Sequence, residues 1–352
     1  MDIIRSDKNF LIEKHPQFGE VKFYSPDSIP FSVYGIKYEN GKYRRLPEKT
    51  AKTVNPGVYA LHANTAGGRI RFSTDSSFVA IKVKYGDTGK MPHFAISGSA
   101  GFDLFETGKN GGYIGSFIPP FDVRKSYEGI IRLDSAKKRE LLINFPTYSE
   151  VKEISIGLSP EASVQPANPY SIETPYVFYG SSITQGGCVS KPGSTYEALL
   201  SNEFDADYIN LGFSGSAKGE DEIAQHIASL DMSIFFFDYD HNAPDHTHLS
   251  ATHEKMFKII RKAHPQLPVI FMSRPKYSLD GDDIKRREII FTTYKNAVDG
   301  GDENVYFIDG PELMKYVKTL GTVDNTHPTD SGFFSMYLAL RPVVEKIIEK
   351  GL

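Results

Sequence analysis

The sequence predicts two domains of different class: a jelly-roll-like antiparallel β-sandwich in residues 1–160 and a doubly wound parallel α/β domain in residues 176–352. Three observations predict this division. The chain has 352 residues, which is long for a single hydrophobic core. Short aromatic-rich runs fill its first part, whereas apolar runs alternate with helical stretches in its second part. Pro, Ala and Ser dominate residues 161–175, which we therefore predict to be a linker.

The first domain is predicted from short runs that have the alternation or the aromatic content of strands. Turn residues separate these runs and no helical period interrupts them, which indicates an antiparallel sandwich. The predicted strands are Val21–Tyr24, Phe31–Ile36, Val58–Leu61, Ile70–Phe72, Phe78–Tyr85, His93–Ile96, Ile130–Leu133, Glu140–Phe145 and Ile154–Leu158.

The second domain is predicted from strands that alternate with helices, an order typical of a parallel sheet with helices on both faces. The run Ile234–Asp238 is apolar at nearly every position, as in the middle of such a sheet. Pro342 is expected to kink or restart the last helix. The predicted strands are 176–179, 208–211, 234–238, 269–272 and 305–308, and the predicted helices are 194–204, 220–230, 248–263, 284–299 and 330–349.

Composition excludes several classes of protein. A net charge of −4 without any Lys/Arg-rich run argues against a nucleic-acid partner. Cys188 is the only cysteine, so no intrachain disulfide is possible. The sequence contains no apolar run of about 18 residues, so it predicts no membrane span, and its N-terminus has no apolar signal segment. We expect a cytoplasmic protein, the alternative being an exported one whose signal peptide is missing from the sequence; a homo-oligomer is left open.

Residues that suit acyl transfer follow the predicted strands of the second domain. Open α/β sheets bind ligands outside the carboxyl ends of their strands, and a serine, an imidazole, a carboxylate and two donors occur there. Together they could perform acyl transfer through a covalent intermediate. The segments are Gly180-Ser-Ser-Ile-Thr-Gln-Gly-Gly187, Asn210-Leu-Gly-Phe-Ser-Gly215, Asp238-Tyr-Asp-His-Asn242 and Asp324-Asn-Thr-His327.

These four segments resemble, in the same order, the four sequence blocks of the SGNH (GDSL-like) serine hydrolases, over roughly residues 175–350. The resemblance implies a flavodoxin-like hydrolase domain and a serine esterase. It implies Ser182 as nucleophile, His327 as general base and Asp324 as the acid that orients the base. It also implies an oxyanion hole formed by Ser182, Gly215 and Asn242. The usual Gly-Asp-Ser of the first block reads Gly-Ser-Ser here, so the acidic residue before the nucleophile is missing.

Other residues near these strand ends could line the site. Tyr239 and His241 are predicted to form pocket walls, and Arg274 to reach the same rim, although a surface arginine is the commoner case. A crowded group of histidines and aspartates also invites a metal hypothesis. Its spacing matches no compact zinc motif and no cysteine accompanies it, so we expect no metal and no cofactor. The group comprises His241, His246, His248, His253, Asp240 and Asp245.

The segment Gly101-Phe-Asp-Leu-Phe105 resembles the Gly-x-Asp-Leu-Tyr motif of a β-domain that precedes a subgroup of SGNH hydrolases. Phe105 replaces the motif's tyrosine. Two interpretations of Asp103 stand side by side: a sugar-binding residue together with Phe105, and a strand-end residue bonded to local backbone.

Taken together, the resemblance is to bacterial carbohydrate acetylesterases. The leading hypothesis is a serine esterase that removes acyl groups, above all acetyl, from a small acylated carbohydrate. The alternatives are a longer-chain esterase, thioesterase or acyltransferase with the same triad, and a non-catalytic carbohydrate-binding protein. The sandwich favours a sugar by analogy of fold alone.

Overall fold

A computed structural model describes residues 19–108 and 111–351, and the backbone of residues 12–15. The contacts divide the chain into two compact units. The first unit comprises the chain up to Arg45 together with Ala63–Pro169 and Ser190–Gly193. The second comprises Leu46–His62, Tyr170–Val189 and the chain from Ser194 onward. Two short segments therefore differ from the predicted domain bounds: Leu46–His62 belongs to the second unit and Ser190–Gly193 belongs to the first.

The segment Leu46–His62 forms two short helices, α1 (Glu48–Val54) and α2 (Pro56–Leu61), in the second unit. The predicted strand Val58–Leu61 is therefore wrong. Asn55 caps α2, since its Oδ1 accepts a hydrogen bond from the Val58 N–H at 2.9 Å, and Pro56 suits the first helical position. Val58 is buried in the core of the second unit, so it packs as an inward-facing helical residue.

The first unit is a β-sandwich of two antiparallel sheets. One sheet has the strand order β1-β2-β12-β7-β10; the other runs β13-β6-β11-β8-β9, with β3 beside β6, and β4 and β5 form a hairpin. The bounds are β1 Ile12–His15, β2 Gly19–Tyr24, β3 Ser32–Tyr34, β4 Lys37–Glu39, β5 Lys42–Arg44, β6 Arg69–Thr74, β7 Phe78–Thr88, β8 Phe102–Glu106, β9 Gly112–Phe117, β10 Ser126–Arg132, β11 Arg139–Asn144, β12 Ser149–Leu158 and β13 Val164–Gln165.

Both sheets contribute to one hydrophobic core. Ile81 of β7 and Ile156 of β12 pack in it with Phe72 of β6 and Ile143 of β11. The predicted class of this domain is confirmed. The predicted strand His93–Ile96 is wrong, because a turn leads there into a short helix, α3 (Ile96–Ser99).

The second unit is a flavodoxin-like α/β fold. Its five strands are all parallel in the order β15-β14-β16-β17-β18, the doubly wound order predicted from the sequence. The strands are β14 Ile172–Gly180, β15 Ala206–Gly212, β16 Ile234–Asp238, β17 Val269–Met272 and β18 Val305–Ile308. The helices are α4 Tyr196–Phe204, α5 Asp221–Ala228, α6 His246–Ala263, α7 Gly281–Asp299, α8 Gly310–Leu313 and α9 Asp330–Glu349.

Two local expectations differ from what the structure shows. Helix α9 runs through Pro342 as a single element, so the proline does not restart it. The predicted linker contains β13, which pairs with β6, and the first residues of β14. Among the described residues, no helix combines the length and the apolar character that a bilayer span requires.

Candidate active site

A tight turn at the end of β14, the Ser182 turn (residues 180–187), presents the predicted nucleophile. A Cβ on Gly180 would lie 2.0 Å from the Thr184 Oγ1 and 2.4 Å from the Asp238 carbonyl oxygen, so only glycine fits. The Ser181 N–H donates to that same carbonyl at 3.2 Å. The chain then coils, with the Gly187 N–H donating to the Ser182 carbonyl at 2.8 Å. The serine is thereby held at the carboxyl edge of the parallel sheet.

Ser182, His327 and Asp324 form a hydrogen-bonded chain. The Ser182 Oγ lies 2.9 Å from the His327 Nε2, and the His327 Nδ1 lies 2.7 Å from the Asp324 Oδ2. The other carboxylate oxygen of Asp324 accepts the His327 backbone N–H, also at 2.7 Å. Asn325 adopts a positive φ of 66° between them, which folds this segment tightly enough for the carboxylate to reach the ring. This geometry suits an oriented general base beside a hydroxyl.

The Asp324 carboxylate stays ionised over the pH range in which a serine esterase works. Partial burial raises the pKa of Asp324, but the hydrogen bonds from the backbone and ring of His327 outweigh it and lower the pKa to about 2. A carboxylate therefore faces the Nδ1 of His327, which favours the proton on Nδ1 and makes Nε2 the atom that can accept the hydroxyl proton of Ser182.

Ser181 stands where the family has an acidic residue, and its role is local. It is fully buried, and its Oγ accepts a hydrogen bond from the Ile183 N–H at 3.2 Å. The hydroxyl thus caps the first backbone N–H groups of the turn, as serine commonly does. The Ser182 turn consequently contains no charged side chain.

The predicted oxyanion donors lie on the loops after β15 and β16, and hydrogen bonds link both loops to each other and to the Ser182 turn. The Ser214 N–H donates to the Gln185 Oε1 at 2.9 Å, and the Ala217 N–H donates to the Asn242 Oδ1 at 3.4 Å. Gly215 has a φ of +67°. In the described part of the chain, neither the Gly215 N–H nor the Asn242 Nδ2 donates to a protein group.

Comparison with known proteins identifies the family of each domain. Residues 173–345 match the profile of the GDSL-like lipase/acylhydrolase family. Residues 21–164 match that of the GxDLY domain, the N-terminus of SGNH-hydrolase-type esterases. The chain belongs to the SGNH hydrolases. The predicted family is confirmed, and with it the assignment as an ester hydrolase. No match was found among curated protein sequences.

Solved structures share the hydrolase's fold over nearly its whole length. A GDSL-like protein from Bacteroides ovatus ATCC 8483 is 27% identical, with a TM-score of 0.83 over 94% of this chain and 98% of that chain. A salicylyl-acyltransferase from a tetracycline biosynthetic pathway is 19% identical, with a TM-score of 0.76 over 93% and 97%. An acetyl xylan esterase from the rumen bacterium Butyrivibrio proteoclasticus is 12% identical, with a TM-score of 0.59 over 94% and 100%. At such low identities the last two show the fold alone.

Buried ions support the Asn242 loop (residues 239–243) of the hydrolase. Arg286 donates through Nη1 to the carbonyl oxygens of Asp240 at 2.8 Å and Ala243 at 3.0 Å, so one guanidinium nitrogen joins two positions of the loop. Arg274 binds Asp240 at 3.1 Å and Asp283 at 2.7 Å, and both carboxylates are almost wholly buried. The sequence analysis missed Arg286, and no local pattern marks it.

Two predicted wall residues are placed elsewhere. Tyr239 is 1% exposed, and its hydroxyl lies 2.6 Å from the Thr252 Oγ1, so it packs in the core. Arg274 does not extend to the rim, because Asp240 and Asp283 hold it. Burial lowers the pKa of Arg274, but these carboxylates raise it above its usual value, so the guanidinium stays charged.

His241 remains the one predicted wall residue that the structure leaves without a partner. No described residue bonds its ring, and its Nε2 is buried. Burial lowers the pKa of His241 well below its usual value, and the charges of Arg274 and His327 lower it further. A neutral ring beside Asn242 does not compete with His327 for the proton of Ser182.

The other histidines of the group for which a metal site was considered have separate partners. The His246 Nδ1 lies 3.1 Å from the Asp282 Oδ1, the His248 Nε2 lies 2.8 Å from the Lys218 carbonyl oxygen, and the His253 Nδ1 lies 2.9 Å from the Thr293 Oγ1. Asp245 caps α6 through the His248 N–H at 2.7 Å. These contacts give each side chain a structural role.

Asp103, in the first unit, cannot contact a sugar as placed. It is fully buried, and its carboxylate accepts hydrogen bonds from the Asn144 Nδ2 at 2.7 Å and the Gly193 N–H at 2.6 Å. The sugar-binding interpretation of Asp103 is therefore wrong. The alternative interpretation, a residue bonded to local backbone, agrees better with the structure, because Asp103 does accept a backbone N–H. That N–H belongs to Gly193, however, which is 90 residues away in the sequence. Phe105 is partly buried, with its ring 5.6 Å from that of Tyr113.

Proposed function

We propose that the hydrolase removes acetyl groups from carbohydrate, through an acyl-enzyme on Ser182. The observation that carries the proposal is the hydrogen-bonded chain from the Ser182 Oγ to the His327 Nε2 at 2.9 Å and from the His327 Nδ1 to the Asp324 Oδ2 at 2.7 Å. These atoms suit proton transfer from the hydroxyl as it attacks an ester carbonyl.

The reaction takes two steps. In the first, the Ser182 Oγ bonds to the carbonyl carbon while its proton passes to the His327 Nε2; the ester C–O bond then breaks and the sugar oxygen takes that proton, so the sugar leaves as an alcohol. In the second, water gives a proton to His327 and its oxygen attacks the acetyl-serine; the bond to Ser182 breaks, His327 returns the proton to the Ser182 Oγ, and acetic acid is released, which ionises to acetate. Asp324 stabilises the imidazolium that forms in each step.

The negative oxygen of each tetrahedral intermediate needs donors. We assign the Gly215 N–H and the Asn242 Nδ2, which have no protein partner in the described part of the chain, together with the backbone N–H of Ser182. Such donors, fixed before the reaction begins, commonly supply a large share of the rate enhancement in acyl transfer.

The substrate class rests on a likeness of fold. An acetyl xylan esterase shares the two-domain fold of this chain at 12% identity.

A second candidate, transfer or hydrolysis of a larger acyl group, has an observation of its own. Leu320 is 86% exposed and Val323 is 44% exposed; Val323 directly precedes Asp324, and Leu320 lies one helical turn's length earlier in the chain. Apolar side chains at the rim of the site would suit an aromatic or fatty acyl group. A salicylyl-acyltransferase shares the fold.

Release of acetate from acetylated xylo- and manno-oligosaccharides tests the proposal, with Ser182→Ala as the control. We expect release by the wild type only, and a rate on 4-nitrophenyl esters that falls as the acyl chain lengthens from acetyl to octanoyl. A rate that rises with chain length, or ester formation with an added alcohol acceptor in preference to hydrolysis, would favour the second candidate.

A further inference from the structure

The segment Leu46–His62 is built into the second unit, although it lies far ahead of the strands of that unit in the sequence. Its helix α1 packs against α5. Ala51 of α1 and Val58 of α2 are buried in the same hydrophobic core as Ile223 of α5. The segment therefore lies against the part of the hydrolase fold that follows β15, where Gly215 is located.

Asn55, at the break between α1 and α2, binds two points of the loop that joins β15 to α5, which we name the Gly215 loop (residues 213–220). Its Nδ2 donates to the Ser216 carbonyl oxygen at 2.9 Å and to the Glu220 Oε1 at 2.6 Å. Its Oδ1 accepts the Val58 N–H at 2.9 Å. One amide thus places both of its donor hydrogens on the loop and its oxygen on α2, and turning the amide over would lose all three bonds.

The backbone around Asn55 allows this close approach. Pro56 follows it, and a residue before proline is disfavoured in the helical region. Asn55 is extended, with φ −163° and ψ 164°, so the chain breaks between the two helices there. Next along α2, a Cβ on Gly57 would lie 2.0 Å from the Ser216 Oγ and 2.9 Å from the Ser216 Cβ. The start of α2 therefore contacts Ser216 through both a hydrogen bond and a close steric fit.

Ser216 directly follows Gly215, whose backbone N–H is a proposed oxyanion donor. Gly215 is exposed and has a φ of +67°. Among the described residues, a Cβ on Gly215 would meet no atom within 4 Å beyond its chain neighbours, so packing at this position does not fix the peptide. The two neighbours are held instead: the Ser214 N–H donates to the Gln185 Oε1 at 2.9 Å, and the Ser216 carbonyl oxygen accepts from Asn55.

We propose that Asn55 is a positioning residue for the Gly215 N–H. It holds the loop on the C-terminal side of Gly215, as Gln185 holds it on the N-terminal side. The inference rests on the proposed role of Gly215 in the oxyanion hole. A displacement of about 1 Å in a reacting group can cost about 10²-fold in rate, so a donor on an exposed loop needs residues outside the site to keep it in place.

Asn55→Ser separates the bridge to the loop from the cap of the helix. Serine is about as good an N-cap as asparagine, so the Val58 N–H keeps an acceptor, but the amide that binds the Gly215 loop is lost. We expect kcat on 4-nitrophenyl acetate to fall about 5- to 50-fold, less than for outright loss of a donor, with little change in KM. Hydrogen exchange of the amides of residues 213–217 should become faster, because the loop loses two bonds.

Gly57→Ala disturbs the same contact by a different route. Alanine is a better helix former than glycine, so α2 itself is not weakened. Its Cβ presses on Ser216 instead, while Asn55 stays intact. We expect kcat to fall in the same direction as in Asn55→Ser, again with little change in KM.

The matched control is Asn296→Ser. The Asn296 Nδ2 donates to the Glu254 Oε2 at 3.0 Å, a bond between an amide and a glutamate in the same unit. Asn296 lies near the C-terminal end of α7, which leads into β18 and is therefore at the amino edge of the sheet, away from the site. The kcat of this variant should stay at the wild-type value.

Steady-state kinetics on the full chain decide the outcome, with thermal unfolding to show that each variant is folded; should Asn55→Ser not fold, Gly57→Ala decides alone. A wild-type kcat in Asn55→Ser, or a rise in KM alone, would show that the inference is wrong while the proposed function stands. An equal fall in Asn296→Ser would trace the loss to general stability and overturn the inference as well. If the wild type does not hydrolyse the ester, or Ser182→Ala hydrolyses it equally fast, the proposed function fails and this inference fails with it.

Discussion

The Ser182 turn carries the proposed nucleophile and the Asn242 loop carries a proposed oxyanion donor, and the two segments are built differently. The Ser182 turn carries no charge; a glycine that fits closely, a serine cap and backbone hydrogen bonds hold it. The Asn242 loop rests on buried ions, with Arg286 beneath its carbonyl groups and Arg274 on Asp240. Steric fit therefore positions the proposed nucleophile, whereas buried charges position the proposed oxyanion donor.

The difference between the uncharged turn and the ion-supported loop has a physical reason. A charge beside Ser182 would bias the proton that passes between the hydroxyl and His327, so a neutral turn leaves Asp324 as the charged group that faces the imidazole. A donor must keep its place while negative charge develops on the substrate, and buried ion pairs are rigid once formed. A variant in either region tests one of these two modes of support.

The largest effect is expected in the neutral turn. Ser182→Ala removes the proposed nucleophile and should lower kcat on 4-nitrophenyl acetate by on the order of 10⁶-fold. Ser181→Ala removes only a cap within the turn and should retain most of the turnover. Steady-state kinetics on the two variants measure the contrast. The reverse result would transfer the nucleophile to Ser181.

Asn242→Ala is expected to come second. Loss of one oxyanion donor typically lowers kcat by about 10²–10³-fold, with little change in KM, because the missing bond forms mainly in the transition state. Thermal unfolding should change little, since the amide makes one weak contact, at 3.4 Å, with the Ala217 N–H. A rise in KM alone would mean that Asn242 binds the ground state.

Arg286→Met tests the charged support itself. It leaves two buried carbonyl groups unpaired and should cost about 2–5 kcal/mol in the free energy of unfolding, together with part of the kcat loss seen for Asn242→Ala. Arg287→Met, at the adjacent position, breaks a more exposed pair with Asp309 and should cost less than about 1 kcal/mol. Urea unfolding and kinetics on both variants make the comparison. Equal losses would remove the distinction between the two loops.

The smallest effect concerns stability and pH. The pKa of Asp324 is lowered to about 2 in the folded protein, below the usual value of about 4 for the unfolded chain. Its stabilising contribution is thus present above about pH 4 and is lost as the pH falls toward 2. The stability deficit of Asp324→Asn should shrink over that interval in urea unfolding. A deficit that stays constant down to pH 2 would show that the carboxylate charge does not stabilise the fold.

The second unit was predictable because its signals are local. Ile234–Asp238 is buried along its whole length, as a central parallel strand must be, and the family blocks directly follow such strands. Helix α2 was not predicted, because Val58-Tyr-Ala-Leu61 is a short apolar run with an aromatic residue, as in many strands, and only Asn55-Pro56 indicates a helix start. Short apolar runs do not separate the two structures.

The supports of the site were not predictable, because they join residues distant in the chain. Arg286 reaches the carbonyl of Asp240, 46 residues away, and Arg274 reaches the Asp240 carboxylate across 34 residues. Sequence spacing says nothing of such partners. Tyr239 shows a related limit of the sequence. It directly follows strand β16, where a ring can lie either in the site or in the core, and tertiary packing places the Tyr239 ring in the core.

The covalent acyl-enzyme on Ser182 is the central claim, and peptide mapping by mass spectrometry after labelling with a 4-nitrophenyl alkylphosphonate tests it most directly. The account predicts one adduct per chain, on Ser182, which persists in Ser181→Ala and is absent from Ser182→Ala. An adduct on any other residue, or esterase activity that survives in Ser182→Ala, would contradict it.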